Sequence, residues 1–142
     1  MLLLLASISI VPAGQTFQCT PSQVWDGDRP IWCAEGPRLR LAGFAAKELD
    51  GTCKTGDPCP APDPIQSRNA VVLLIGKPVG IAREDHVLVC GPTMICQLDG
   101  SAGGNRTAAF CVPPQSGDVS CNMVANGWAA KWQRYWRGHG CK

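Results

Sequence analysis

Nine cysteines in 142 residues, with no Cys-x-x-Cys pair among them, constrain this chain more than any other feature. Zinc knuckles are built on closely spaced thiolates. The tightest spacings here, Cys53 to Cys59 and Cys90 to Cys96, are too wide for them. A disulfide framework formed in an oxidising compartment fits better. Nine is odd, so at least one thiol is left over when the others pair. Spacing does not dictate connectivity, but three local pairs are plausible. Cys53 and Cys59 bracket a Pro/Gly-rich loop, and Cys19 and Cys33 flank an expected hairpin. Cys121, on an expected helix, can pin Cys141 near the chain end.

The N-terminus agrees with export. Leu2 to Val11 is an apolar run about as long as a signal h-region, shorter than the roughly 20 residues of a membrane span. Ala13 and Gly14 follow where cleavage can occur, although no basic residue precedes the run, which also suits a buried strand. We expect a leader over residues 1–17 and a single domain over 18–142. The expected product is a secreted or periplasmic monomer with no membrane span. The hydrophobic share of 45% and charged share of 17% belong to a folded globule with one core. A net charge of +2 excludes a protein that coats DNA by bulk charge.

Asp118 is the last acidic residue, and Lys131, Arg134, Arg137 and Lys142 follow it. This tail is either a solvated basic end or a patch for polyanions. Trp128, Trp132, Tyr135 and Trp136 interleave with it, either as packing or as a stacking platform for single strands. His86 and His139, the two histidines of the chain, are expected at the surface.

Turn formers and alternation set the elements. Phe17 to Trp25 reads as a strand, and Asp26 to Pro30 as a turn. Two further strands, Ile31–Gly36 and Pro37–Phe44, meet at Glu35-Gly36-Pro37. In Leu39-Arg40-Leu41 polar and apolar positions alternate, so Arg40 faces away from both leucines and shares its face with Arg38. A long loop from Asp50 leads to a helix capped by Asp63 with Pro64 first and Gly76 as the stop. Ile65, Val72 and Ile75, joined by Leu73, are its expected buried face. Strands are expected over Pro78–Glu84, His86–Gly91 and Arg106–Val112, with Thr93–Leu98 extending the second of them. Ser101–Asn105 is a glycine-rich turn before the last strand. A final helix is expected from Asp118 to about Asn126-Gly127. The order suggests an α+β fold, and five strands of this length can close into a small OB-type barrel, stapled by disulfides, with two or three helices.

A set of charges carries the chemistry: Asp26-Gly27-Asp28, Arg40, Glu48 and Arg106. Arginine forks bind phosphate oxygens in pairs, a carboxylate can activate water, and clustered aspartates suit a hard cation. The ordered pattern VWDGD, RLRLAGFAAKE, a helix, GGNRTAAFCV and a helix with MVANGWA resembles the staphylococcal-nuclease-like, or thermonuclease, family. The resemblance runs from about Gln18 to Tyr135. It implies an OB-fold enzyme that hydrolyses DNA or RNA with Ca2+. It also implies that Arg40 contacts the scissile phosphate, Glu48 is general base toward the attacking water, and Arg106 supports the leaving side. Asp28 is the implied calcium ligand, with Asp26 its outer partner.

The departures bear on the metal. Ala45 stands where the family has a second calcium carboxylate, Lys47 sits beside Glu48, and Arg29 follows the aspartate turn. Phosphate-side groups survive while the acidic side is reduced. The alternative reading is therefore a non-catalytic module that binds nucleic acid or another polyanion.

Overall fold

The computed structural model describes residues 14–27, 30–101 and 106–141, and for residues 84, 101 and 106 the backbone alone. The expected leader run and Asp28 lie outside the described residues. The strands are β1 (Thr16–Cys19), β2 (Pro21–Val24), β3 (Ile31–Cys33), β4 (Arg38–Leu41), β5 (Phe44–Ala45), β6 (Lys77–Ile81), β7 (Val87–Cys90), β8 (Met94–Ser101), β9 (Arg106–Val112) and β10 (Ala130–Lys131). The helices are α1 (Pro64–Ile75), α2 (Val119–Ala125) and the short α3 (Gln133–Trp136).

The expected first strand is divided at Thr20. Here the chain changes partners: β1 pairs with β8, and β2 with β3 and β7. The Thr20 amide and hydroxyl leave the ladder and donate to the two Glu35 carboxylate oxygens at 2.6 and 2.7 Å. The Thr20 hydroxyl also lies 2.8 Å from that of Thr93. One side chain thus clips the kink to two neighbouring segments. Burial acts to raise the Glu35 pKa, but the Thr20 donors outweigh it and hold the carboxyl below its ordinary value.

Eight strands form one sheet in the order β1-β8-β9-β4-β3-β2-β7-β6, and β10 pairs with β5 separately. Every pairing is antiparallel except β4 with β9. The fold is α+β as expected. The strand count is higher: the first strand splits, the expected third divides into β4 and β5, Thr93–Leu98 falls in a strand of its own instead of extending β7, and β10 is added. Among the described residues no ladder joins the outer strands β1 and β6, so the sheet is not closed as a barrel.

Alternation in β4 sorts its side chains: Leu39 and Leu41 are fully buried, whereas Arg38 and Arg40 are half-exposed. Each buried leucine stabilises the fold by about 2 kcal/mol. The same core holds Val24, Ile31, Val71, Ile75, Met94, Val119 and Met123.

Helix α1 begins at a capping box. The Asp63 carboxylate accepts the Gln66 amide (3.0 Å), and the Gln66 side chain accepts the Asp63 amide (3.3 Å). Its buried face agrees with expectation at Val72 and Ile75 and differs at Ile65 and Leu73. Pro64, Ser67, Val71, Val72 and Ile75 turn inward, while Ile65 and Leu73 are 44% and 69% exposed. The run AVVLLI is apolar all round, so its periodicity selects no face; packing against the sheet does.

All three plausible disulfides form, Cys19–Cys33, Cys53–Cys59 and Cys121–Cys141. A fourth, Cys96–Cys111, joins residues in direct register on β8 and β9. Cys90 is the leftover thiol and is exposed. Four disulfides fit an oxidising compartment rather than the cytosol. No described helix is long and apolar enough to cross a membrane.

Candidate functional site

The parallel ladder between β4 and β9 brings together residues that lie far apart in sequence. Arg38 is in register with residue 106, and Arg40 with Ala108. The backbone at 106 is therefore diagonal to Arg40 on the neighbouring strand. Arg40 sits over the Trp132 ring, 5.3 Å from its centroid.

The aspartate turn packs elsewhere, between α1 and the segment after β5. The Trp25 amide donates to the Pro30 carbonyl at 3.2 Å and closes the base of the turn. Asp26 is only 4% exposed. Gly27 packs so closely that a Cβ there would lie 2.8 Å from the Ser67 Cβ and 2.9 Å from the Ala46 Cβ. The turn thus rests on α1 and on the segment that leads to Glu48. Glu48 is half-buried and begins a tight turn, its amide donating to the Thr52 carbonyl and its carbonyl accepting from the Gly51 amide, both at 2.8 Å. Lys47 is drawn toward the loop, where its ammonium donates to the Ala61 carbonyl at 3.2 Å.

Ala45 is 1% exposed and pairs with Ala130 in the β5–β10 ladder. Its methyl group belongs to the interior and supplies no oxygen. Of the carboxylates expected at the metal, Asp26 and Glu48 lie among the described residues. Their oxygens have the right chemistry for a hard cation, but they fall short of the six to eight that calcium takes.

A cleft of about 400 Å³ opens beside Arg40, lined also by Asp99, Ala108, Trp132, Tyr135 and Arg137. The tail builds this wall. The Trp132 amide donates to the Gly43 carbonyl at 2.8 Å, and Trp132 meets Tyr135 edge to face at 4.7 Å. Gly43 has φ 85°, and a Cβ there would meet the Trp136 ring at 2.7 Å, so both its backbone and its surroundings require glycine. Arg137 lies 3.9 Å from Asp99. Burial pushes the Asp99 carboxyl above its ordinary pKa, against the pull of Arg137 and His139. The tail is both packing and cleft wall: Trp136 is 6% exposed, whereas Trp132 is half-exposed. Asp99 escapes notice in the sequence because nothing near it in the chain marks it.

Neither histidine lies free on the surface. His86 is 8% exposed, tilted against Trp25 and edge-on to Trp32. His139 stacks on Phe110 at 3.7 Å and lies 2.7 Å from an Asp118 oxygen. Asp118, Cys121 and His139 form a cluster with the dimensions of a metal site. Its donors are already spent: Cys121 is bonded to Cys141, and Asp118 caps α2 through the Cys121 amide at 2.8 Å. The cluster pins the tail. No model of a known protein family matches this chain, and no characterised protein matches it in sequence.

Proposed function

We propose that this protein is an exported phosphodiesterase of the thermonuclease type, cutting single-stranded nucleic acid as a monomer. The observation that carries the reading is that the expected residues fall at two junctions between segments remote in sequence. The β4–β9 register sets residue 106 diagonal to Arg40, and Gly27 packs the aspartate turn onto Ala46, two residues before Glu48. The topology supports an OB-type arrangement as well. A path β2–β3–β4–β9–β8–β1 returns to the ribbon from which it started, broken only at Thr20.

The chemistry follows from the protein's own groups. Glu48 takes a proton from a water as its oxygen bonds to phosphorus, and the ester oxygen leaves with the electron pair of the broken bond. The guanidinium donors of Arg40 and Arg106 meet the charge that builds on the equatorial oxygens, and losing one such donor costs on the order of a hundredfold or more. Asp26 and Asp28 would hold a divalent cation, water and phosphate oxygens filling the places that Ala45 leaves unfilled. Bound there, a cation supplies Lewis-acid polarisation of the phosphate.

The buried Ala45 favours a second reading, a module that binds nucleic acid without turnover. One assay separates the two. Purified protein is incubated with single-stranded DNA and RNA in calcium, in magnesium and in chelator. Hydrolysis that falls by about a hundredfold or more in Glu48→Gln supports the enzyme. Salt-sensitive binding with no hydrolysis under any divalent ion refutes it in favour of the module.

A further inference from the structure

Arg40 has a neighbour on its own face that the reading above leaves unused. Arg38 is half-exposed, and its guanidinium lies 4.2 Å from the centre of the Trp32 ring. Successive registers align Leu88, Gln23, Trp32, Arg38 and residue 106 in one row across five strands. Trp32 also meets His86 at 5.9 Å, and His86 meets Trp25, whose ring is 43% exposed. The His86 Nδ1 and the Gln23 amide oxygen, 3.3 Å apart, brace the group from below. On β4 the arrangement is therefore doubled: Arg38 is stacked on Trp32 and Arg40 on Trp132.

Three properties point to a ligand. Among the described residues Arg38 makes no ion pair and no hydrogen bond, so its five N–H donors are available while stacking holds the group in place. Arg38 and Arg40 are two residues apart on one strand, about 6.6 Å between Cα atoms. That is the order of separation of successive phosphates along an extended nucleotide chain. The exposed Trp25 ring gives a surface on which a base can stack, and aromatic rings mixed with arginine are what single strands bind.

Resting on the proposed phosphodiesterase reading, we propose that Arg38, with Trp32 and Trp25, forms a second nucleotide subsite beside Arg40. The strand lies along β4, with one phosphate on Arg40, the next on Arg38 and a base over Trp25. The protein is thereby selective for an extended single strand over a mononucleotide.

The test measures binding of a short oligothymidylate and of thymidine monophosphate over a range of salt, in chelator so that nothing is cut. Arg38→Met keeps an apolar cover on Trp32 and removes the charge. It is expected to lose roughly tenfold more affinity for the oligonucleotide than for the mononucleotide. Its salt slope for the oligonucleotide should flatten by about 0.7, the share of one phosphate contact on a single strand. Arg38→Lys should retain the slope. Arg40→Met should weaken both ligands alike. If Arg38→Met binds the oligonucleotide as the wild type does while Arg40→Met does not, Arg38 is only a shield for Trp32 and the subsite is refuted, with the reading at Arg40 intact. If the wild type binds neither ligand, both fall. Equal losses by Arg38→Met on the oligonucleotide and on a sulfated polysaccharide would make the group a general anion patch and overturn the nucleotide subsite.

Discussion

Gly27→Ala tests the contact on which the candidate site depends. The added methyl would lie 2.8 Å from the Ser67 Cβ and 2.9 Å from the Ala46 Cβ. Carbon atoms settle at about 3.5–4.0 Å, so the turn must retreat by roughly 1 Å. It cannot push its neighbours aside cheaply. Ser67 is fully buried and its hydroxyl donates to the Trp128 carbonyl at 2.6 Å, while Ala46 is 8% exposed. Overpacking of this kind costs about 1–3 kcal/mol. For a domain of this size each kcal/mol is about 4 °C in melting temperature, so thermal unfolding with disulfides intact should fall by roughly 4–12 °C. Ala46→Gly added to Gly27→Ala removes one of the two encounters, and a double-mutant cycle should return a coupling of about 1 kcal/mol. An unchanged melting temperature in Gly27→Ala, or additive single effects, would show that the aspartate turn does not rest on the Glu48 segment. The proposed link between the aspartate turn and Glu48 would then be refuted.

Two other outcomes follow from the structure. Glu35→Ala removes the clip on Thr20 and should cost about 1 kcal/mol, a modest figure because the pair lies near the surface. The Glu35 pKa is lowered on folding, so its contribution is present above the ordinary glutamate value and is lost as pH falls through the lower folded value. Urea midpoints of wild type and variant should therefore converge in acid and separate at neutral pH; a constant gap across that range refutes the clip. Replacing Cys121 and Cys141 together by serine opens a crosslink with a sequence separation of 20. The loss should be about 3 kcal/mol by chain entropy. Because the tail it anchors carries Trp132, Tyr135 and Arg137, oligonucleotide affinity should fall as well. Affinity unchanged beside a lowered urea midpoint would remove the tail from the binding wall.

The readable parts of the chain are those governed by neighbours in sequence. Asp63-Pro64 and Gly76 bound α1 because caps are local hydrogen-bond problems. The RLRL stretch shows its polar face because the strand period is two. Cys53–Cys59 is readable because the loop between them is short. The buried face of α1 is not, since Ile65 and Leu73 are as apolar as Val71 and only the sheet distinguishes them. Cys96–Cys111 is not, because it depends on how β8 and β9 register. The burial of His86 depends on two tryptophans from other strands, and that of Asp99 on the folded tail.

The sequence by itself determined the oxidised framework, the helix ends and the arginine-bearing face of β4, since these follow from composition and from steps of two to four residues. Only the tertiary structure decided which remote residues meet. The parallel β4–β9 ladder brings residue 106 alongside β4, Gly27 fits between Ser67 and Ala46, and the pinned tail sets Trp132 beside Arg40. Those contacts come from long-range packing, which local pattern does not encode: a ladder register or a glycine-sized gap exists only once both of its sides are in place.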